Sequence, residues 1–218
     1  MLNIENFIAK YVTKRPESMF QVDLHTHQVA LTKAIEGKSV LVIGGAGSIG
    51  SSYIKALLPF KPKTLVVVDI SENGLTELTR ELRSTSAFTV PTDYVTYPMN
   101  YADDTFVKMF KARGGFDIVA NFSAHKHVRS EKDKYSVEAL LKNNVVNAKK
   151  FLDLLCDYPP EHFFCVSTDK AANPVNIMGG SKKIMEDMIM AYAHKFPVTT
   201  ARFANVAFSN GSLPAGFL

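Results

Sequence analysis

The chain has 218 residues, 46% of them hydrophobic, and a formal net charge of +4. This length permits one sizeable core, and the small, scattered charge argues against a nucleic-acid partner. No apolar run reaches the length of a membrane span, and no charged leader precedes an apolar core, so we expect a cytoplasmic protein without a membrane span. Cys156 and Cys165 lack further Cys or His at ligand spacing, which predicts reduced thiols and no metal site.

Apolar runs of strand length alternate along the chain with amphipathic runs of helix length. We predict strands at 39–43, 64–68, 94–98, 117–121, 162–167 and 199–203, and helices at 48–58, 71–83, 103–112, 136–155 and 176–194. This alternation is typical of parallel βαβ units rather than of a sandwich or a helical bundle. Because such crossovers are right-handed, we predict an α/β fold with a doubly wound, Rossmann-like parallel sheet in the order 3-2-1-4-5-6.

The first 38 residues precede the first strand and contain helical patterns at 4–12 and 24–35. Gly37 is placed to terminate the second helix. We therefore divide the chain into a helical N-terminal extension, 1–38, and a nucleotide-binding domain, 39–218. The extension is either a packing element or an oligomer contact. The segment 83–93 is rich in Ser, Thr and Pro, which predicts an exposed, mobile loop.

The first strand ends in glycines and leads directly into a helix. Glycine allows a positive φ and lets the backbone approach a pyrophosphate without an obstructing Cβ, while first-turn N–H groups of the helix bind the anion. The alternative is a flexible strand-to-helix turn without a ligand. The predicted dinucleotide-binding residues of this G-x-x-G-x-x-G turn are Gly44, Gly47, Ser48, Ile49 and Gly50.

Asp69 ends the second apolar run, nineteen residues after Gly50. In a dinucleotide site, a carboxylate at this place accepts a hydrogen bond from the ribose 2′-hydroxyl, and this context favours the binding turn over the flexible one. The same carboxylate favours NAD, because it would repel a 2′-phosphate. NADP stays possible, since Arg80 could rearrange toward it.

Polar residues follow the fourth, fifth and sixth strands, where ligands bind in this architecture. They occupy 121–127, 167–174 and 204–211 and offer hydroxyl, carboxylate, ammonium and amide groups. Asp169 and Lys170 supply an acid and a base on one turn. The alternative for this pair is an exposed ion pair at the end of a strand.

At these positions the chain resembles extended short-chain dehydrogenases/reductases of the polysaccharide-biosynthesis group, which includes the UDP-N-acetylglucosamine 4,6-dehydratases. The Ser-Thr-Asp-Lys-Ala-Ala-Asn-Pro string is the most discriminating part of the resemblance. The matching positions are 44–50, 124–128, 167–174, Lys182 and 202–206.

The resemblance implies an NAD-dependent lyase that removes water from UDP-N-acetylglucosamine, with retention at C5, for surface glycan synthesis. It further implies that Lys170 is the base for the C5 proton, that Asp169 is the acid for the leaving C6 hydroxyl, and that Thr168 hydrogen-bonds the C4 oxygen. This chemistry requires Lys170 to lose its proton near neutral pH and Asp169 to hold one for part of the cycle.

Lys182 is expected, by the same resemblance, to bridge the nicotinamide ribose hydroxyls; the alternative is a solvated helix lysine. Met178 stands where most short-chain dehydrogenases have a Tyr, and the resemblance implies that the larger 4,6-dehydratases also have Met there, so Asp169 or Lys170 has to take the C4 hydroxyl proton. Asn143 is expected to hold backbone near the lysine. Further cofactor contacts are expected from Asn100, Ala124 and Val206, and further substrate contacts from Lys126 and Asn205.

Other functions fit parts of the same pattern. An inverting dehydratase and a UDP-sugar 4-epimerase share the fold and the nucleotide, and an NAD-binding module without turnover accounts for Met178. The chain stops at Leu218, shortly after the sixth strand, so we expect an incomplete substrate part. As partners we expect a UDP-sugar and further copies of the chain in a homo-oligomer.

Overall fold

Six parallel strands form one sheet at the centre of this computed structural model, which describes residues 4–15, 17–124, 133–206 and 209. The strand order 3-2-1-4-5-6, with strands numbered along the chain, confirms the predicted doubly wound topology. Each predicted strand boundary lies within one residue of the observed one. The strands are β1 Ser39–Ile43, β2 Thr64–Asp69, β3 Asp93–Pro98, β4 Ile118–Asn121, β5 His162–Thr168 and β6 Val198–Phe203.

The central strands are apolar on both faces because helices cover both sides of the sheet. Alternate residues of β1 therefore belong to different halves of the core. Leu41 and Ile43 pack in one half with Phe106, Phe110 and Phe151. The other half contains Val40, Val42, Ile54, Leu57, Leu75 and Leu78.

Three of the helices that cover the sheet begin after residues whose side chains accept first-turn N–H groups. Ser71 accepts from Gly74, Asp133 from Tyr135, and Asn176 Oδ1 from the Gly179 N–H at 2.7 Å. The covering helices are α4 Ser48–Leu57, α5 Glu72–Ser84, α6 Asp104–Ala112, α7 Lys134–Leu141, α8 Ala148–Asp157 and α9 Ile177–Ala191. Three further α-helices precede them in the described part of the N-terminal extension.

The predicted helix 136–155 is two α-helices, α7 and α8, joined by a π-helical stretch, Lys142–Asn147. The Tyr101 hydroxyl donates to the Asn143 carbonyl oxygen at 3.0 Å, and the buried Asn144 amide donates to the Ser181 hydroxyl at 3.1 Å. A π turn changes which side chains face inward. The Asn144 side chain thus joins this stretch to α9, and the predicted role of Asn143, holding backbone near the active-site lysine, stays a prediction.

The N-terminal extension is helical, as predicted, but its helices differ in extent. They are α1 Ile4–Phe7, which continues as a π-helix over Ile8–Thr13, then α2 Gln21–Thr26 and α3 Gln28–Ile35. Gly37 has φ +74°, the left-handed conformation that suits a helix terminator. Among the described residues, none of the helices combines the length and the hydrophobicity that a membrane-spanning segment requires.

The segment 83–93 is less exposed than the sequence predicts. Helix α5 extends to Ser84, and the side chains of Phe88 and Val90 are partly buried against the half of the core that contains Val40. Two apolar residues among polar ones attach this connection to the domain. A composition rich in Ser, Thr and Pro does not reveal such anchoring.

Edge strand β6 is fastened to α9 by a two-pronged ion pair. Arg202 Nη2 lies 2.6 Å from Glu186 Oε2, and Arg202 Nε lies 3.0 Å from Glu186 Oε1. The Glu186 side chain is 7% exposed, whereas the Arg202 side chain is 43% exposed. Arg202 lowers the pKa of Glu186 below its usual 4.5, chiefly by hydrogen bonding.

Glu186→Gln keeps the size of this side chain and removes its charge, so we expect it to lower the free energy of unfolding by about 1–3 kcal/mol at pH 7. A lowered carboxyl pKa stabilises the fold above the unfolded value of 4.5, and this contribution falls as the pH drops through the folded value. Urea unfolding at neutral and acid pH should therefore show a weaker acid dependence for the variant. The control is Asp187→Asn, which alters an exposed pair with Lys183. An acid dependence equal to that of the unchanged protein would contradict the prediction.

Candidate active site

The glycine turn after β1 is closed by two glycines that have no room for a side chain. Gly44 has φ +75°, and a Cβ there would lie 2.7 Å from the Ser123 backbone nitrogen. A Cβ on Gly50 would overlap the Gly44 carbonyl oxygen. At Gly47, by contrast, an added Cβ would meet Gly44 oxygen alone among the described atoms, at 3.4 Å. The turn is thus tight at its ends and open at Gly47.

The open part of the turn is the start of α4. The residue before the helix, Gly47, is extended at φ −73° and ψ 162° and has no side chain to accept first-turn N–H groups. Gly47, Ser48 and Ile49 are half-buried. The N-terminus of a helix attracts anions through its N–H groups and its dipole. The local structure therefore fits the phosphate-binding role that the glycine spacing predicts.

Asp69 lies at the end of β2, beside this turn. Its Oδ2 atom accepts the Ala46 N–H at 3.0 Å, and its Oδ1 atom accepts the Ser71 N–H at 2.9 Å. The carboxylate predicted to bind a ribose hydroxyl thus also ties the glycine turn to β2. Sequence reasoning missed this second connection, because it joins residues 23 positions apart.

The residues after β3 and β4 have structural roles in their turns. The Asn100 side-chain oxygen accepts the Ala102 N–H at 2.9 Å. The buried Asn121 accepts both the N–H and the hydroxyl of Ser123, at 2.9 and 2.6 Å. The bonds between Asn121 and Ser123 fix the start of the connection after β4, and the half-buried Ala124 follows directly. Lys126, with its neighbours at 125 and 127, lies outside the described residues, so its predicted substrate contact stays a prediction.

Thr168, Asp169, Lys170 and Asn205 form one hydrogen-bonded cluster beyond β5 and β6. The Thr168 hydroxyl donates to Asp169 Oδ1 at 2.9 Å. The Lys170 Nζ atom lies 3.2 Å from Asp169 Oδ1 and 3.2 Å from Asn205 Oδ1. Four predicted site residues from two strand ends are therefore brought together.

The electrostatics of this cluster favour an ionised Asp169. The Thr168 hydroxyl, and then the Lys170 ammonium, hold the pKa of the Asp169 carboxyl below its ordinary value. Its side chain is 52% exposed, and that of Lys170 is 37% exposed. The acid role predicted for Asp169 would therefore require this carboxylate to gain a proton before it could donate one.

Lys182 lies on α9 and its side chain is buried against β5. Its Nζ atom donates to the Val166 carbonyl oxygen at 2.9 Å and lies 3.6 Å from Met185 Sδ. Burial lowers the pKa of this amine. At 4% exposure, Lys182 is not the solvated helix lysine of the alternative interpretation. In this arrangement the amine is bound to the sheet, so its contact with a nicotinamide ribose stays a prediction.

The beginning of α9 and the end of β6 complete this region. Met178 is 3% exposed, and its carbonyl oxygen accepts the Ser181 hydroxyl at 2.7 Å. Val206 is exposed beyond β6, and its predicted cofactor contact stays a prediction. Ser181, which the sequence did not single out, connects the helix of Lys182 to the buried Asn144.

A family model described as polysaccharide biosynthesis protein matches residues 40–217. The chain belongs to this family. This confirms the resemblance drawn from the glycine turn and the residues beyond β4, β5 and β6. The six-stranded parallel sheet confirms the Rossmann-like fold of the extended short-chain dehydrogenases/reductases.

Several curated relatives of the family match much of the chain. An uncharacterized membrane protein of Methanocaldococcus jannaschii is 38% identical over 81% of this chain and 51% of its own length. A UDP-N-acetylglucosamine 4,6-dehydratase (inverting) of Campylobacter jejuni is 28% identical, with coverage of 81% and 51%. A UDP-glucose 4-epimerase of Rickettsia typhi is 28% identical over 81% of this chain and 51% of its own length. The chain thus spans about half the length of these relatives, and its cytoplasmic location stays a prediction.

A solved structure supports the fold of this family member. The X-ray structure of Pen from Bacillus thuringiensis superimposes with a TM-score of 0.73 at 26% identity. The match covers 84% of this chain and 55% of that protein. The shared fold includes the parallel sheet that brings the candidate site together.

The two ends and the middle of the glycine turn should respond differently to an added methyl group. We expect Gly50→Ala to lower the free energy of unfolding by about 1–3 kcal/mol or more, because the new Cβ overlaps backbone. Gly47→Ala should leave it unchanged or raise it by about 0.4–1 kcal/mol, since φ and space both permit alanine. Thermal and urea unfolding measure both effects. Equal losses in the two variants would show that the turn is not built as described.

Proposed function

We propose that this chain carries the cofactor-binding and acid-base residues of an NAD-dependent UDP-N-acetylglucosamine 4,6-dehydratase that retains the configuration at C5. The observation that carries the proposal is the Thr168–Asp169–Lys170 cluster at the edge of the sheet where the glycine turn also lies. A carboxylate and an amine in contact are the two groups that elimination next to a ketone needs. The product is a UDP-4-keto-6-deoxy sugar for polysaccharide synthesis.

The described residues fit a nicotinamide dinucleotide. The open position of the turn at Gly47 and the first turn of α4 would hold the pyrophosphate, and Asp69 would accept the ribose 2′-hydroxyl, which favours NAD. Asn100, Ala124, Lys182 and Val206 would contribute further contacts. When bound, NAD supplies the hydride acceptor for oxidation at C4 and the hydride donor at C6.

Asp169 begins the reaction as a carboxylate, the form that its surroundings favour. It takes the proton of the C4 hydroxyl, because the Met178 thioether at the usual Tyr position cannot accept one. As Asp169 becomes protonated, the Thr168 hydroxyl would turn from Asp169 Oδ1 and donate its hydrogen bond to the C4 oxygen. The protonated Asp169 then gives its proton to the C6 hydroxyl, which leaves as water.

Lys170 first has to release its ammonium proton to solvent; the neutral amine then removes the C5 proton and returns a proton to the same face of C5. Return from the face of removal gives retention. The two groups share a hydrogen bond of 3.2 Å, so a proton can pass between them as their roles alternate. Lys126 would add a contact to the substrate, and the sequence predicts the same for Asn205, whose amide oxygen lies beside Lys170 in the structure.

Incubation with NAD and UDP-N-acetylglucosamine tests this function. Mass spectrometry should show a product that has lost one water. In deuterated water, NMR should show deuterium at C5, and the configuration at C5 separates retention from inversion. Two curated relatives, an inverting dehydratase and a 4-epimerase, correspond to the alternative outcomes. A dehydrated product with inverted configuration at C5 would indicate the inverting dehydratase. An epimer without deuterium at C5 and C6 would indicate the epimerase. NAD binding without any turnover would favour the non-catalytic module.

Lys170→Met and Asp169→Asn should each lower the rate of water loss by about 10²-fold or more, because each removes one proton-transfer group. The dissociation constant for NAD, measured by calorimetry, should change little. Lys183→Met is the matched control, because Lys183 is an exposed lysine of α9 paired with Asp187. Unchanged product formation in either active-site variant would refute the assigned roles.

A further inference from the structure

The parallel register of β5 and β6 brings Lys170 and Asn205 side by side. Thr168 pairs with Phe203 in the last step of this ladder. Lys170 and Asn205 each lie two residues beyond that pair, on neighbouring strand ends. Their side chains meet there, with Lys170 Nζ 3.2 Å from Asn205 Oδ1. The contact thus follows from the pairing of the two strands.

The Lys170 amine lies between two oxygen acceptors of different charge. One is Asp169 Oδ1 at 3.2 Å, and the other is the amide oxygen of Asn205 at the same distance. The Asp169 oxygen is itself held by the Thr168 hydroxyl and the Lys170 N–H, at 2.9 and 3.0 Å. A lysine side chain has four flexible methylene groups, so two acceptors restrict its amine far more than one.

The position of Asn205 is set from the preceding strand. Arg202, three residues earlier, is bound to the buried Glu186 of α9 through two nitrogens. This ion pair fixes the end of β6 against the same helix that carries Lys182. Asn205 therefore extends from an anchored strand end although its own side chain is exposed.

We propose that Asn205 is a positioning residue for Lys170, which deepens the proposed function and rests on it for its catalytic consequence. The sequence assigned Asn205 to the substrate, whereas its amide oxygen contacts the base. A neutral amide orients the amine without adding charge. A carboxylate at the same place would stabilise the ammonium form and so oppose removal of the C5 proton.

The test is the reactivity of the Lys170 amine, which does not depend on any sugar reaction. The full chain is treated with trinitrobenzenesulfonate at several pH values, and modification of Lys170 is followed by peptide mass spectrometry. Asn205→Asp should slow modification about three- to tenfold near pH 8, because the new charge lies beside the amine. Asn205→Ala should speed it about two- to threefold by releasing the amine. Ala204→Asp adds the same charge one residue away and should have less than half the effect of Asn205→Asp.

Rates for Asn205→Ala and Asn205→Asp that equal that of the unchanged protein would overturn the proposal. So would equal slowing by Ala204→Asp and Asn205→Asp, since charge near the loop would then suffice. With a working dehydration assay, a positioning role predicts that Asn205→Ala lowers kcat more than it raises KM. A rise in KM alone would return Asn205 to the substrate. Failure of the dehydratase proposal would leave the modification rates of Lys170 unaffected, so the two failures can be told apart.

Discussion

Parallel pairing of all six strands is the constraint on which the candidate site depends. Because every strand runs in the same direction, every carboxyl end meets one edge of the sheet. Residues as distant in the chain as Asp69, Asp169 and Asn205 therefore belong to one region. The detailed contacts follow from register: Asn205 reaches Lys170 because Phe203 pairs with Thr168.

Two lysines near this edge carry the same amine group but differ in burial and in hydrogen-bond partners. Lys170 is partly exposed and shares its amine between a carboxylate and an amide. Lys182 is buried against β5, bonded to a backbone carbonyl, and its pKa is lowered by the loss of water. The first geometry suits exchange of protons with a substrate. The second joins helix α9 to the sheet and so helps to hold the site together.

Close backbone packing provides the other support of the site. The glycine turn lies against the connection after β4, where Asn121 holds Ser123, and against β2 through the bond from Ala46 to Asp69. These contacts join three neighbouring strand ends. At the other side of the sheet, the ion pair between Glu186 and Arg202 holds the end of β6 against α9.

The sequence by itself determined the strands, their order and the family, because apolar periodicity, glycine spacing and the string at 167–174 are local signals. It also identified Asp169 and Lys170 as neighbours, since they are adjacent in the chain. Only the tertiary structure decided that Asn205 meets Lys170, that Asn144 bonds Ser181 of α9, and that Lys182 is buried. Those outcomes depend on strand register, a π turn and packing between distant segments, which no local pattern encodes.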